Sequence, residues 1–318
     1  MKMIHSEADL DQLLRSANAL AAIAAWAKNG YFDALAGGEP RRLEELSGDG
    51  RALLITARIL AHLGLLVSDG EAWALSTSGR SLLETGALRR GASLDTLADL
   101  SRMDEIVSRG GPIKATEVGV DQDNPEGAEQ FMEMLYRRSA DSSEETARWI
   151  ARALEGKGHI LDVGGGHGRY GRALVERGLE ATLFDFPMII DLARKRHGDA
   201  LEYRGGSFFE DDLGGPYDGA LLSNIVHGLN GDENITLLRR IRASLRDDGL
   251  LVLKDMFLDE SGTQPESAAL FAMIMLNYTQ NGNSYTFAQV SSWCEASGFA
   301  PISPVTSGGY HLFMARAV

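Results

Sequence analysis

The chain has a single cysteine, Cys294, so no intrachain disulfide can form and a reducing compartment is the expected setting. It is also short of positive charge: 31 Lys and Arg stand against 45 Asp and Glu, a formal net charge of −14. A surface of that sign repels nucleic acid and anionic membrane alike, so neither is an expected partner. Long apolar runs are missing as well. The Ala-rich stretch Ala17 to Ala27 is too short to cross a bilayer, and MKMIHSEADLDQ holds no signal-type apolar core, which predicts a soluble, cytoplasmic protein. No pair of histidines has zinc-ligand spacing, so no metal site is expected. Internal repeats and low-complexity tracts do not stand out.

What is present is enough apolar material, 44% of 318 residues, for about two domains with sizeable cores. The stretch from His159 to Phe186, HILDVGGGHGRYGRALVERGLEATLFDF, reads as a strand, a glycine turn, a helix and a second strand. Ile160 to Val163 is short and β-branched enough for a buried parallel strand, and it breaks into Gly164-Gly165-Gly166-His167-Gly168. Glycines let the backbone turn sharply and lie close to a ligand, and the free N–H groups opening the next helix favour an anionic group. The second strand, Ala181 to Phe186, carries Asp185 about 20 residues past the turn, where a carboxylate accepts from a ribose diol. The unit is therefore expected to bind an adenosine-like cofactor. Gly166-His167-Gly168-Arg169-Tyr170-Gly171 also matches the dinucleotide fingerprint GxGxxG, but the strand closes two residues early for it, at Gly164, and carries Asp162 inside.

Around this unit the pattern predicts helix over residues 9–36, broken at Asn29-Gly30. Its Ala-rich stripe suits burial against a second subunit or inside the chain. From Leu43 to Leu82 come a short helix, a helix over Ala52 to Leu63, and two strands joined by Asp69-Gly70, the order of a winged helix. Residues 1–100 hold 10 Lys and Arg against 13 Asp and Glu, too acidic for a DNA reader. Residues 1–100 are therefore read as a dimerisation domain and 101–155, with one helical pattern from Pro125 to Leu154, as a helical linker and substrate lid. Residues 156–318 are the catalytic domain, an α/β fold with a mostly parallel sheet and an antiparallel C-terminal hairpin joined by Ser307-Gly308-Gly309. Its further strands are expected near 201–204, 217–226, 249–257, 300–305 and 310–315.

The order Leu161-Asp162-Val163-Gly164-Gly165-Gly166-His167-Gly168, Phe184-Asp185-Phe186-Pro187, Gly205-Gly206-Ser207-Phe208-Phe209, Ser223-Asn224-Ile225-Val226-His227, Asp247-Asp248-Gly249, and Tyr285-Thr286 ahead of Gly298-Phe299 resembles a known family. This is the plant caffeic acid and hydroxyindole type of small-molecule O-methyltransferase, with its bacterial relatives in secondary metabolism. The resemblance spans nearly the whole chain. It implies a class I methyltransferase Rossmann-like fold with a winged-helix dimerisation domain, a homodimer, and S-adenosylmethionine as cofactor. It implies that Asp162, Gly164, Gly165, Gly166, Gly168 and Asp185 hold the cofactor, with Phe186, Ser207, Phe208 and Ser223 beside it. Ser207 stands where the family usually has an aspartate that reaches the adenine amine.

Methyl transfer needs an aligned acceptor and a base, since a phenol titrates near 10. His227 follows the fourth strand of the catalytic domain at the ligand-binding edge and matches the family's catalytic histidine. Asp255, ending the fifth strand, matches the acid that orients it, normally a glutamate. The family's second acid falls on Ser284, and Gly228 stands where an acid usually follows the histidine, which leaves a dyad. Phe131, Met134, Phe271, Met273 and Met275 are expected to clamp a flat aromatic substrate, with Asn277 or Tyr278 as the polar contact, although such spacing also suits plain core. His167 is read as surface or cofactor-adjacent, and His62, His197 and His311 as structural. Two other readings remain open: a C- or N-methyltransferase on the same scaffold, and a cofactor-binding regulator without catalysis.

Overall fold

The structure, a computed structural model, describes residues 4–90, 100–112, 124–307 and 310–318. By contacts the chain divides into two units, Met1–Glu105 and Ile106–Val318.

In the first unit the helix Glu7–Lys28 starts at Ser6, whose side chain accepts from the Asp9 N–H, and carries Glu7 and Asp9 in its positive first turn. Its alanine stripe is buried only toward the C-terminal end, at Ala22, Ala24 and Trp26, while Leu10 and Leu14 are exposed. Trp26 Nε1–H donates to Thr56 Oγ1 at 2.7 Å, which ties this helix to the helix Gly50–His62. Strands β1 (Leu66–Ser68) and β2 (Trp73–Leu75) form the expected antiparallel hairpin. Its turn is held by Asp69 Oδ1, which accepts from the N–H groups of Glu71 and Ala72. The apolar faces meet around Leu53, Ala57 and Leu60, with Ala57 and Leu60 fully buried. Leu60→Ala leaves a cavity there and is expected to cost about 2–5 kcal/mol, measured by urea unfolding; a cost under about 1 kcal/mol contradicts this packing.

The second unit contains the helices Pro125–Arg138 and Ala140–Ala153 where the sequence pattern gave a single run. They part at Ser139, which serves as C-cap of the first and N-cap of the second. Apolar spacing passes through such a joint without a signal, because each half keeps its own buried stripe.

The sheet is built from β3 (His159–Val163), β4 (Glu180–Asp185), β5 (Glu202–Gly205), β6 (Tyr217–Ser223), β7 (Leu245–Asp255), β8 (Phe299–Ser307) and β9 (Tyr310–Ala317). Their order is β5-β4-β3-β6-β7-β9-β8, with the first five strands parallel. The C-terminal hairpin differs from expectation in one respect: β9 lies inside, antiparallel to both β7 and β8, so two pairings are antiparallel instead of one. Residues 308–309, the expected hairpin turn, lie outside the described residues.

Both faces of this sheet are covered. Leu161, Val163, Leu222, Leu251 and Leu253 join one core cluster, and Ile160, Leu221, Leu250 and Val252 join the other. That double burial explains why the parallel strands read as near-continuous apolar runs. Strand order reverses between β3 and β6, and such a switch point opens a crevice beyond the carboxyl ends of the strands. Among the described residues no helix is long and apolar enough to cross a membrane.

Candidate active site

Three strand ends converge at the switch point: Val163 of β3, Asp185 of β4 and, across β3, the residues after β6. Gly164 leaves β3 at a φ of 63°, in the left-handed region. A Cβ there would stand 2.4 Å from Ile225 Cδ1, so a side chain has neither the conformation nor the room. The turn then hands over to the helix Arg169–Val175, with Gly168 as its N-cap.

Two carboxylates anchor this turn. Asp185 accepts from the Gly166 N–H at 2.8 Å and from the Phe186 N–H at 2.7 Å. Asp162, with no exposed surface, accepts from the Gly171 N–H at 3.2 Å, while its Oδ1 has no partner among the described residues. Burial pushes Asp162 up to about 7 against the pull of the Gly171 N–H, and the Asp185 charge adds to the rise. Burial likewise pushes Asp185 up to about 6, opposed by its two N–H bonds. Both carboxyls thus brace the glycine turn at the end of the sheet where such folds bind ligands.

His167 is not at the surface; it is buried inside the turn, and its pKa is pushed down to about 4, chiefly by burial. Its Nδ1 accepts from the Arg169 N–H at 3.1 Å, which leaves the ring proton on Nε2, 3.4 Å from Ser139 Oγ. His197 Nε2 bonds the His167 carbonyl at 3.0 Å, a structural role as expected. The helix Pro125–Arg138 lies against the turn through Met132, whose Sδ sits 3.3 Å from where a Gly166 Cβ would be. Beside it a cleft of about 260 Å³ opens between this helix and the helix Pro187–His197.

On the other side of β3, β6 ends at Ser223, earlier than the apolar run suggested. Asn224 takes a φ of 60°, and His227 lies in a 3-10 turn, Val226–Gly228. His227 Nδ1 meets Asp255 Oδ1 at 2.7 Å, and the His227 backbone N–H donates to Asp255 Oδ2 at 3.2 Å. The shorter aspartate therefore reaches, because it grips the turn by backbone and ring together. Burial alone would raise the Asp255 carboxyl, but the His227 ring and its hydrogen bond outweigh it and hold the acid below its usual value. With Nδ1–H directed to the carboxylate, a neutral ring has its lone pair on Nε2. The ring packs edge-on against Phe271 at 4.8 Å between centroids.

Of the other expected residues, Phe208 lies against the glycine turn, its Cε1 4.0 Å from where a Gly164 Cβ would be. Ser207 uses its N–H on Asp211 Oδ2 at 2.8 Å and accepts the Phe209 N–H on its hydroxyl at 3.3 Å. Phe208 stacks edge-on with Phe209, and Ser223 Oγ accepts from Asn224 Nδ2 at 3.4 Å. On the helix Glu266–Tyr278, Phe271 and Met275 share a face, while Met273 lies on the far side and is exposed; Asn277 is buried. Phe131 is exposed and Met134 half-buried, so Met132, which the sequence gave no reason to prefer, is the residue of its helix that reaches the glycine turn. Ser284 donates to the Ala268 carbonyl at 2.8 Å, which fastens the helix Glu266–Tyr278.

A family model described as an O-methyltransferase domain matches residues 97–300. The chain is similar to 3-hydroxy-5-methyl-1-naphthoate 3-O-methyltransferase of Streptomyces sahachiroi, 31% identical over 186 residues, 56% of this chain and 52% of that protein. It spans about half the length of the curated relatives it matches. In fold it is similar to human N-acetylserotonin methyltransferase in complex with S-adenosylmethionine, at a TM-score of 0.78 and 19% identity over 100% of this chain and 99% of that one. A structure of PigF with S-adenosylhomocysteine gives a TM-score of 0.85 at 19% identity over 98% of this chain and 100% of that one.

Proposed function

The chain belongs to the O-methyltransferase domain family, and from that premise we propose that it moves a methyl group from S-adenosylmethionine to a hydroxyl, phenolic in this reading, of a small aromatic metabolite. His227 is the general base and Asp255 the acid that orients it. The observation that carries this reading is the 2.7 Å contact of His227 Nδ1 with a buried carboxylate, at the edge where the sheet opens its crevice.

The residues present fit the cofactor. Gly164, Gly166 and Gly168 turn the chain at positive φ where the backbone can lie close to a ligand, Asp185 presents a carboxylate where a ribose diol binds in such sheets, and the buried Asp162 Oδ1 has no partner among the described residues. Gly164, Gly165, Gly166 and Gly168 with Asp162 would hold its amino-acid end, and Asp185, Phe186, Ser207, Phe208 and Ser223 the nucleoside. When bound, S-adenosylmethionine supplies an electrophilic methyl on a sulfonium. The protein must then align an acceptor and take its proton. His227 Nε2 accepts that proton, and Asp255 fixes the tautomer and stabilises the imidazolium that forms. Phe271 and Met275 offer an apolar wall for a flat ring beside the base.

The two raised carboxyls give a pH dependence. The folded protein binds more protons than the unfolded chain between about pH 4 and 7, so this contribution to stability is lost as pH rises through that window. A ligand that donates hydrogen bonds to Asp185 favours its ionised form. Affinity for S-adenosylhomocysteine is therefore expected to rise from about pH 5 to about pH 7 and then level; an affinity flat across that range, measured by calorimetry, contradicts it.

Calorimetric titration with S-adenosylhomocysteine and, separately, with NAD tests the cofactor. Saturable binding of the first alone is expected, and binding of NAD in its place overturns the reading. We also propose a homodimer in which the N-terminal unit is a winged-helix dimerisation module and residues 101–155 a linker and lid. A monomer mass by sedimentation at micromolar concentration contradicts the dimer.

A further inference from the structure

We propose that Lys254 is a positioning residue for His227, acting through Asn224 so that β7 grips the turn after β6 from both faces of the sheet. Lys254 is 7% exposed, and its ammonium donates to Asn224 Oδ1 at 2.9 Å. In return the Asn224 N–H donates to the Lys254 carbonyl at 2.8 Å. Successive strand residues point to opposite faces, so Lys254 and Asp255 reach the same turn from opposite sides. Lys254 takes it at Asn224, and Asp255 at His227 through the ring and the backbone N–H.

The grip acts at a bend. Asn224 stands at a φ of 60°, left-handed backbone that asparagine adopts more readily than other side chains, and its two bonds to Lys254 hold it there. Between the two gripped residues lies Ile225, the side chain that a Gly164 Cβ would strike at 2.4 Å. The turn is thus seated against the glycine loop on one side and carries the base on the other. Fixing residue 224 fixes the spacing of the base from that loop, and in-line transfer is sensitive to displacements of about 1 Å, worth up to about 10²-fold in rate.

This rests on His227 being the base. The test is Lys254→Met, which keeps an apolar stem of similar volume and removes the donor, together with Asn224→Gly, which takes the left-handed conformation freely and removes the acceptor. With a phenolic acceptor, Lys254→Met is expected to lower kcat about 10-fold to 100-fold at pH 7, the gap closing as pH approaches about 10, where solvent ionises the phenol and a misplaced base matters less. The double variant is expected to be no worse than the poorer single, since both changes remove the Lys254–Asn224 bond. The downfield proton resonance of His227 Nδ1–H is expected to shift or vanish in Lys254→Met. A kcat within two-fold of wild type, a loss equal at every pH, losses that multiply in the double variant, or an unmoved Nδ1–H resonance overturns the proposal. If the wild-type protein transfers no methyl, the base reading fails by itself and the resonance alone decides the clamp.

Discussion

In His227→Ala, methyl transfer to a phenol at pH 7 is expected to fall by about 10² to 10⁴, while affinity for S-adenosylhomocysteine stays within about two-fold. At that pH only about one phenol in 10³ is ionised, so the base supplies most of the deprotonation, and the deficit should close toward pH 10. The contacts of the ring are with Asp255 and Phe271, neither of them in the glycine turn, so binding should survive. The substitution also strands the buried Asp255 carboxyl, which then keeps only its N–H donors, among them Met256 at 2.7 Å. Asp255→Asn is the cleaner companion. Its amide N–H₂ can face Nδ1, which moves the ring proton to Nε2 and removes the lone pair that accepts the substrate proton. It should cost a similar factor in kcat with the His227 ring still in place. Activity of either variant within three-fold of wild type would sink the dyad.

Gly164→Val should abolish saturable binding of S-adenosylhomocysteine, a loss above about 100-fold, with a stability cost of about 1–3 kcal/mol for a side chain at positive φ. Two causes add. The backbone φ of 63° strains any L side chain, and the Cβ would stand 2.4 Å from Ile225 Cδ1 and 3.1 Å from its Cγ1. The nearer of these atoms is the tip of the Ile225 side chain, which can turn aside, so the strain at residue 164 carries the larger share. Adding Ile225→Ala removes the collision but not the strain, so the double variant should regain part of the stability and part of the binding. Calorimetry with thermal unfolding separates the two. Gly164→Val binding at wild-type affinity would mean that the turn holds no cofactor.

Much of this site was legible in the sequence because its signals are local. A β-branched strand, a glycine turn, a helix and a terminal Asp185 dictate one another over 28 residues, from His159 to Phe186, with little help from tertiary context. His227 and Asp255 were legible as types at strand ends. Their 2.7 Å contact was not, because register between β6 and β7 sets it. The end of β6 was misplaced since Ile225 and Val226 are as apolar as the strand before them, and only the φ of Asn224 marks the turn. Likewise His167 looks like any polar loop residue; its burial follows from the packing of Ser139 and Tyr136 over the turn, which no spacing announces. Lys254 left no signal because a lysine in an apolar strand reads as an interruption until Asn224 is seen to receive it. The inside position of β9 is a matter of strand order, and a hairpin is equally consistent with either strand being the edge.

Oxygen methylation driven by a histidine base is tested by transfer of labelled methyl from S-adenosylmethionine to a panel of phenols, each paired with the same ring carrying an amine or no hydroxyl, for wild type and His227→Ala. Label is expected on the hydroxyl-bearing members alone, lost in the variant at pH 7 and regained toward pH 10. Label on the amine or ring carbon at a rate indifferent to His227 would contradict it.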